Sequence, residues 1–268
     1  MRNRMVLGTI VVLSLTLVAC ARDSTNEQRG DIAFGQMGKT ARTQVWYIAK
    51  SQNEPSLKMP LKSIVITQNG KATAFQVPSS FTLGDAARLS IQQLKQKGMA
   101  LSKQAFTHKR QALMTDTKEK LSVEKENLKK DQKATVVSFA AVKSDRRIVA
   151  GYQGLRSRIE NAKFKQPRPL PFSVDLEKKN GHVTQEMLNV DTYDFEKSYR
   201  DTSSQSVNYR RISHQVFASP YTGISAKSVK LGNHYFGYYR HAGRHPAYAL
   251  TKVVSQKANV KFDAASIK

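Results

Sequence analysis

The chain of 268 residues contains very little cysteine, little glycine or proline, and few acidic residues. Its one cysteine is Cys20, so a folded domain has no disulfide available and depends on the packing of its core. With 14 glycines and 8 prolines, collagen-like and low-complexity architectures are excluded. Hydrophobic residues make up 40% of the chain, which suffices for one sizeable domain or two small ones and excludes a wholly disordered chain.

The shortage of acidic residues leaves a large positive charge. Lysine and arginine number 44 against 20 acidic residues, a formal net charge of +24, and loss of residues 1–19 would leave +22. This balance indicates an anionic partner, which is nucleic acid, lipid headgroups or a phosphate-rich wall polymer. If the protein is exported, intracellular nucleic acid is excluded, and wall polymers and lipid headgroups remain.

The sequence also lacks the motifs of common enzyme classes. It has no G-x-S-x-G, no P-loop, no G-x-G-x-x-G and no pair of cysteines. The stretch SVEK at 122–125 matches S-x-x-K without the companion motifs of penicillin-binding enzymes. We therefore expect no enzymatic activity and no cofactor.

The N-terminus has the order of a secretory signal. Arg2 and Arg4 precede an apolar run of about 15 residues that ends at Ala19. A membrane-spanning helix needs roughly 20 apolar residues, so the run is too short to be one. Residues 1–19 are therefore predicted to be a cleavable signal peptide.

Leu17-Val18-Ala19-Cys20 resembles the lipobox of bacterial lipoproteins, in which the cysteine thiol receives a diacylglycerol and cleavage occurs just before it. Two acyl chains anchor a protein stably, whereas one chain binds only marginally. The alternative is an ordinary signal peptide with an incidental cysteine. The resemblance implies attachment to the cell membrane, at its extracytoplasmic face, through lipid on Cys20. The polar residues 20–42 are predicted to be a flexible tether.

The remaining sequence predicts an α+β fold, mainly antiparallel sheet with one or two helices in the first half. The proline-rich stretch KQPRPLP at 165–171 divides an α+β module, residues 43–165, from a mainly β module, residues 166–268. Asn69-Gly70 and Asn180-Gly181 each predict a tight hairpin turn. Both turns begin an N-G-[KH]-x-T pattern, which reflects either duplication or chance.

Helices are predicted in the middle of the first module. Ala86, Leu89 and Leu94 have helical spacing, in a helix expected to end near Gly98. Residues 99–133 fit either a long charged helix or an exposed hairpin, with helix favoured for the first half. The stretches ATVVSFAAV at 134–142 and RIVAGY at 147–152 are predicted to be paired strands.

Several short segments resemble uncharacterised cell-surface lipoproteins of lactic acid bacteria and related Gram-positive bacteria. They are listed here in chain order: Val45-Trp46-Tyr47, Asn69-Gly70-Lys71, Leu83-Gly84-Asp85, QVFASPYTGIS at 215–225 and YALTKV at 248–253. Together the segments cover about a third of the chain. The resemblance implies a Gram-positive envelope location and no assigned activity, and the low acid content departs from what such proteins lead us to expect.

Three histidines are the candidate metal ligands. His234, His241 and His245 lie within twelve residues, and the last two have a spacing that places both imidazoles on one face of a helix. The local sequence predicts strand, turn and strand instead, and no acidic residue lies nearby. The favoured hypothesis is a non-catalytic module contacting an anionic envelope polymer or a partner protein. The alternative is a metal-dependent envelope hydrolase built on these three histidines.

The C-terminal segment offers two further candidate surfaces. The aromatic run Tyr235–Arg240 predicts a strand whose outer face could be a platform for a sugar or polymer. From Gln205 to Lys268 the only acidic residue is Asp263, against ten basic residues, which leaves +9. The ten are Arg210, Arg211, Lys227, Lys230, Arg240, Arg244, Lys252, Lys257, Lys261 and Lys268. Since folding does not require so one-sided a charge, the segment is a candidate polyanion surface.

Overall fold

A computed structural model describes residues 32–51, 53–180, 182–199, 205–220, 228–241 and 247–258, together with Lys261 and Asp263. The predicted signal peptide and Cys20 lie outside these residues. The helices are α1 (Phe34–Lys39), α2 (Leu83–Ala87), α3 (Ile91–Lys133) and α4 (Phe139–Glu160). The strands are β1 (Gln44–Lys50), β2 (Leu61–Gln68), β3 (Lys71–Gln76), β4 (Leu170–Lys179), β5 (His182–Tyr199), β6 (Gln205–Pro220), β7 (Val229–Leu231), β8 (His234–His241) and β9 (Ala247–Val253).

The strands form one antiparallel sheet in the order β6-β5-β4-β3-β2-β1-β9-β8-β7. The predicted α+β class with a mainly antiparallel sheet is confirmed. Strands from both predicted modules are neighbours in this sheet, since β3 pairs with β4 and β1 pairs with β9. The division of the chain at residue 165 stays a prediction.

Both predicted hairpin turns connect paired strands. Asn69 has φ 51° and Gly70 has φ 71°, the positive angles that a type I′ turn needs. Asn180 has φ 52°, and Lys179 pairs with His182 across the second turn. The Asn-Gly pairs therefore mark the β2–β3 and β4–β5 hairpins, as the sequence predicts.

The central strand β1 is buried on both sides, because its alternate side chains enter two different cores. Val45 and Tyr47 pack with α2 and the first turns of α3 on one face of the sheet. Trp46 and Ile48 pack on the other face with Phe34 of α1. A third cluster joins α3 and α4 to β5 and β6. The buried residues of all three clusters lie between Ile32 and Ala258, so the chain from Ala21 onward contains the whole described core.

The predicted tether is too long. Ile32 and Phe34 are fully buried, and α1 lies within the stretch 20–42 that was expected to be flexible. Gly38 brings α1 close to the sheet, since a Cβ there would come within 2.5 Å of the Phe172 ring. Because this stretch is mostly polar, its composition did not indicate that one aliphatic residue, Ile32, and one aromatic residue, Phe34, belong to the core.

The number and position of the helices also differ from the prediction. The described residues contain four helices, and α3 continues through Gly98 to Lys133 instead of ending near that glycine. Gly98 lies where the helix meets the sheet, because a Cβ there would come within 2.6 Å of the Phe75 ring. The glycine is therefore a contact point rather than a terminus.

The strands predicted at 134–142 and 147–152 are wrong, since most of these residues belong to α4. Ser138 accepts a hydrogen bond from the Ala141 amide and caps the helix. The buried residues of α4 are Val142, Val149, Tyr152, Leu155 and Ile159, spaced three, four or seven apart. This helical period, rather than the local β propensity of the valines, decides the structure.

Candidate functional site

The structure does not bring the candidate metal ligands together. His234 begins β8 and His241 ends it, so seven residues of extended chain separate them by about 23 Å. His245 and the side chain of His241 lie outside the described parts of the chain. Among the described residues, no three His, Cys, Asp or Glu side chains are close enough to hold a metal ion.

The aromatic run of β8 is part of the core rather than an open platform. Phe236, Tyr238 and Tyr239 are buried, and they lie on both faces of the strand. The Tyr239 ring stacks on Trp46 with 5.7 Å between ring centroids. The hypothesis of a sugar-binding face on this strand is therefore wrong for these three side chains.

Several cations of the C-terminal segment have partners within the fold. Arg210 forms an ion pair with Glu196, and Arg211 forms one with Asp191 across the β5–β6 pair.

Two further cations of this segment lie outside the β5–β6 strand pair. Arg240 lies 3.1 Å from Glu54, and the Lys252 Nζ donates to the Ala87 carbonyl at the end of α2. The fold therefore uses four of the ten cations in contacts of its own. They join strands and close a helix end, which leaves less of the +9 for a partner.

Two carboxyl groups are buried side by side beneath the sheet. Asp263 accepts hydrogen bonds from the amides of Gly35 and Gln36 at 2.6 and 2.7 Å, and its own amide donates to the Glu186 carboxylate at 2.8 Å. Next to them, the Tyr239 hydroxyl donates to the Lys261 carbonyl. These bonds tie α1, β5, β8 and the C-terminal segment together.

The surroundings of this pair favour its protonated form. Burial first, and then the neighbouring Asp263 carboxylate, raise the pKa of Glu186 to about 8. Burial also raises the pKa of Asp263. A raised carboxyl pKa is typical of general acids, yet both side chains are almost completely enclosed. A substrate has no access to them, so the pair is structural.

An aromatic cleft lies between α3, the proline-rich loop and β5. Phe106, Phe195 and Tyr209 pack together, with 4.7 to 5.4 Å between the Phe106 centroid and the other two. Beside them, Lys109 forms an ion pair with Asp194 at 2.6 Å. The space inside the cleft is about 20 Å³, enough for about one water molecule and too small for an organic ligand.

The remaining candidate is the helical hairpin, which we define as residues 91–160 and which consists of α3, the connection 134–138 and α4. Its 43-residue first helix is about 65 Å long. Leu121 is the last buried residue of α3, so that helix continues for about 18 Å beyond it. The far end of the hairpin therefore projects from the body of the fold.

The helical hairpin carries a large positive charge, and most of its cations have no ion pair within the described chain. It has 16 Lys and Arg against 7 acidic residues, a net charge of +9. Ion pairs within 4 Å involve three of these cations among the residues that the structure describes, Lys109, Lys120 and Lys129. Lys125, Lys130, Lys133, Lys143, Arg146 and Arg147 are exposed.

Two acidic side chains moderate this charge near the far end. The carboxyl groups of Asp131 and Asp145 face each other between the two helices, and partial burial and then the Asp131 carboxylate raise the pKa of Asp145.

No described helix is long and apolar enough to cross a membrane.

Sequence reasoning missed the helical hairpin because it assigned the residues of α4 to strands. Two signals in the sequence could have found it. The apolar positions from Val142 to Ile159 repeat at helical intervals, and Ser138 precedes them as a cap. The cations of the hairpin are visible in the sequence, but their position on one pair of adjacent helices is not.

Comparison with known proteins leaves the resemblance to Gram-positive lipoproteins as an expectation: no family model, no curated protein and no solved structure matches this chain.

Proposed function

We propose that the protein is a lipoprotein held at the extracytoplasmic face of a cell membrane by lipid on Cys20, and that its folded part is a non-catalytic module that binds an anionic component of the envelope. The helical hairpin is the binding element. The anchor is supported by the order of charge, apolar run and Leu17-Val18-Ala19-Cys20, and by Cys20 being the only cysteine.

The observation that carries the binding role is the exposed charge of the helical hairpin. Its +9 is concentrated on two helices that project from the sheet, and most of its cations have no ion pair within the described chain. By contrast, Arg210, Arg211 and Arg240 already have acidic partners. A polyanion would therefore gain more by contacting the hairpin than the C-terminal strands.

The alternative, a metal-dependent hydrolase, has less support. It requires His234 and His241 to share an ion, and the two residues lie at opposite ends of one strand. The buried Glu186 and Asp263 offer no substitute, because neither is open to a substrate.

Lipid attachment is tested with Cys20→Ser in the full chain, expressed in a bacterium fed an alkyne-tagged fatty acid. The variant should carry no label and should remain unprocessed, because it lacks the thiol that accepts the lipid. Ala21→Ser is the matched control and should be labelled and cleaved like the unaltered chain. Label on the serine variant at position 20 would overturn the anchor.

The binding role is tested with isolated cell envelopes and the soluble chain from Ala21 onward. Binding should weaken steeply between roughly 50 and 300 mM salt, because cations on the protein release counterions from a polyanion. Changing Lys125, Lys130, Lys133 and Lys143 to Gln should weaken it more than changing Arg210, Arg211, Arg240 and Arg244 to Gln. If both sets of substitutions weaken binding equally, or if binding does not depend on salt, the hairpin is not the binding element.

A further inference from the structure

The far end of the helical hairpin exposes large hydrophobic side chains. Four such residues are exposed in the described chain: Val123 is 58% exposed, Val136 87%, Val137 42% and Phe139 87%. The last three lie within four positions, in the connection between α3 and α4 and at the first residue of α4. We call residues 134–139 the tip.

Nothing in the fold requires these side chains at the tip. The third cluster runs from Phe106 to Leu128 on α3 and from Ile148 to Ile159 on α4. Val142, the buried residue of α4 nearest the tip, lies about 4.5 Å behind Phe139 along the helix. A connection between two helices is ordinarily polar, because it lies in water. Single exposed apolar residues are common on proteins, but three at the end of a projecting element indicate a contact surface.

Positive charge surrounds the tip. From Lys129 to Arg147 there are six basic residues and two acidic ones, a net charge of +4. Lys133 adjoins the tip, and Lys129 lies about 6 Å further back along α3, as Lys143 does along α4. An apolar point ringed by cations is complementary to a bilayer surface, which has anionic headgroups above an apolar interior.

We propose that the tip of the helical hairpin inserts into an anionic lipid bilayer, with Val136, Val137 and Phe139 below the headgroups and the lysines among them. This deepens the proposed function by naming lipid as the anionic component, and it rests on the hairpin being the binding element. It does not depend on the lipid anchor.

The backbone sets the depth of insertion. The connection 134–138 is not helical, and Ala134 has an extended conformation at ψ 143°. The Ser138 carbonyl accepts a hydrogen bond from the Val142 amide, but a non-helical connection does not have the full set of internal hydrogen bonds that a helix has. Backbone groups without a partner cannot be left unbonded in the hydrocarbon core. Insertion therefore reaches only the interfacial layer, about 5 to 10 Å deep, which places lysines about 6 Å behind the tip at headgroup level.

The size of the apolar surface favours a bilayer over a folded partner protein. A stable protein interface involves about 20 to 30 residues on each side. The tip presents three large apolar side chains at a narrow end, with cations on the helices behind it. A bilayer needs no matching shape, because hydrophobic transfer and electrostatic attraction act through each side chain separately.

The first experiment locates the insertion with a dye. The chain from Ala21 onward contains no cysteine, so Val136→Cys introduces a single site for an environment-sensitive fluorophore. With vesicles of equal parts phosphatidylglycerol and phosphatidylcholine, the dye at the tip should brighten and shift to the blue. Val123→Cys is the matched control, an exposed valine away from the tip, and its dye should not change. Equal responses at both positions, or none at position 136, would overturn the inference.

The second experiment measures affinity for the same vesicles. Changing Val136, Val137 and Phe139 together to Ser should weaken binding at least about thirtyfold, since these side chains would no longer transfer out of water. Changing Lys129, Lys130 and Lys133 to Gln should weaken it about fivefold per charge at low salt. Val123→Ser should leave binding unchanged. Thermal unfolding should be the same for all variants, because the altered side chains are exposed.

The two proposals fail in different ways. Binding to cell walls that is lost when their anionic polymers are removed, with no binding to vesicles, would overturn insertion and leave the proposed function standing. If the protein binds neither cell walls nor vesicles, both the insertion and the proposed function are overturned. If the triple serine variant converts an oligomer into a monomer and the unaltered chain ignores vesicles, the tip is a contact between copies of this chain, and insertion is wrong.

Discussion

The sheet and the helical hairpin use similar residues for opposite purposes. In the sheet, Trp46 and Phe236 are fully buried, and Arg211 is paired with Asp191. In the hairpin, Phe139 lies in water and Lys133 is exposed. The same chemistry therefore stabilises the fold in one region and is left available for a partner in the other. The difference teaches that charged and hydrophobic side chains indicate a binding surface only where they are not already paired or buried within the fold.

The largest effect that would sharpen this comparison comes from paired aromatic substitutions. Trp46→Ala should lower the free energy of unfolding by about 3 to 5 kcal/mol, because it removes a fully buried ring that packs on Phe34 and Tyr239.

Its counterpart, Phe139→Ala, should change that free energy by less than about 0.5 kcal/mol, since the ring is mostly exposed. Urea unfolding followed by circular dichroism measures both changes. A large loss from the tip variant would mean that the hairpin end belongs to the core.

An intermediate effect comes from two glycines on the two helices of the hairpin. Gly98→Ala should destabilise the protein by about 1 to 3 kcal/mol, because the new Cβ would meet the Phe75 ring at 2.6 Å where α3 packs on the sheet.

The control is Gly154→Ala. Outside the backbone of α4 itself, the nearest atom to the new Cβ would be in the Arg158 guanidinium at 3.8 Å, so this change should stabilise α4 by about 0.5 to 1 kcal/mol. Thermal unfolding of the two variants gives the signs directly. Stabilisation by both would show that α3 is not held against β3.

The smallest expected effect is a pH dependence of stability that arises from the buried carboxyl pair of the sheet. The pKa of Glu186 is raised to about 8 in the folded state from an ordinary value of 4.5. Between these values the folded state holds a proton that the unfolded state has released. Stability should therefore be lost as pH rises, by about 1 kcal/mol from pH 6 to pH 7.

Urea titrations at the two pH values measure this slope. Glu186→Gln keeps a carbonyl oxygen that can accept the hydrogen bond from the Asp263 amide, but it removes the group that titrates. The dependence of stability on pH should therefore become weaker. Glu124→Gln, on the surface of α3, is the control and should keep it. A slope that persists in the Glu186→Gln variant would assign the pH dependence to other groups.

Much of the sheet could be predicted from local sequence. The Asn-Gly pairs predicted two turns because few residues other than Gly and Asn adopt positive φ readily, and the β-branched and aromatic residues of β1 favour a strand. The candidate site could not be predicted in the same way. Val136 and Val137 have β propensity, and it took the spacing of residues further along, from Val142 to Ile159, to show that a helix follows.

Sequence by itself determined three properties of the chain: a large excess of cations, one cysteine at the end of an apolar run, and enough hydrophobic residues for a real core. Only the tertiary structure decided which cations remain available. Arg210 and Arg211 face acidic residues across a strand pair, whereas Lys130 and Lys133 lie at the end of a projecting helix. The reason is physical, because pairing and burial depend on residues that are distant along the chain and meet only after folding.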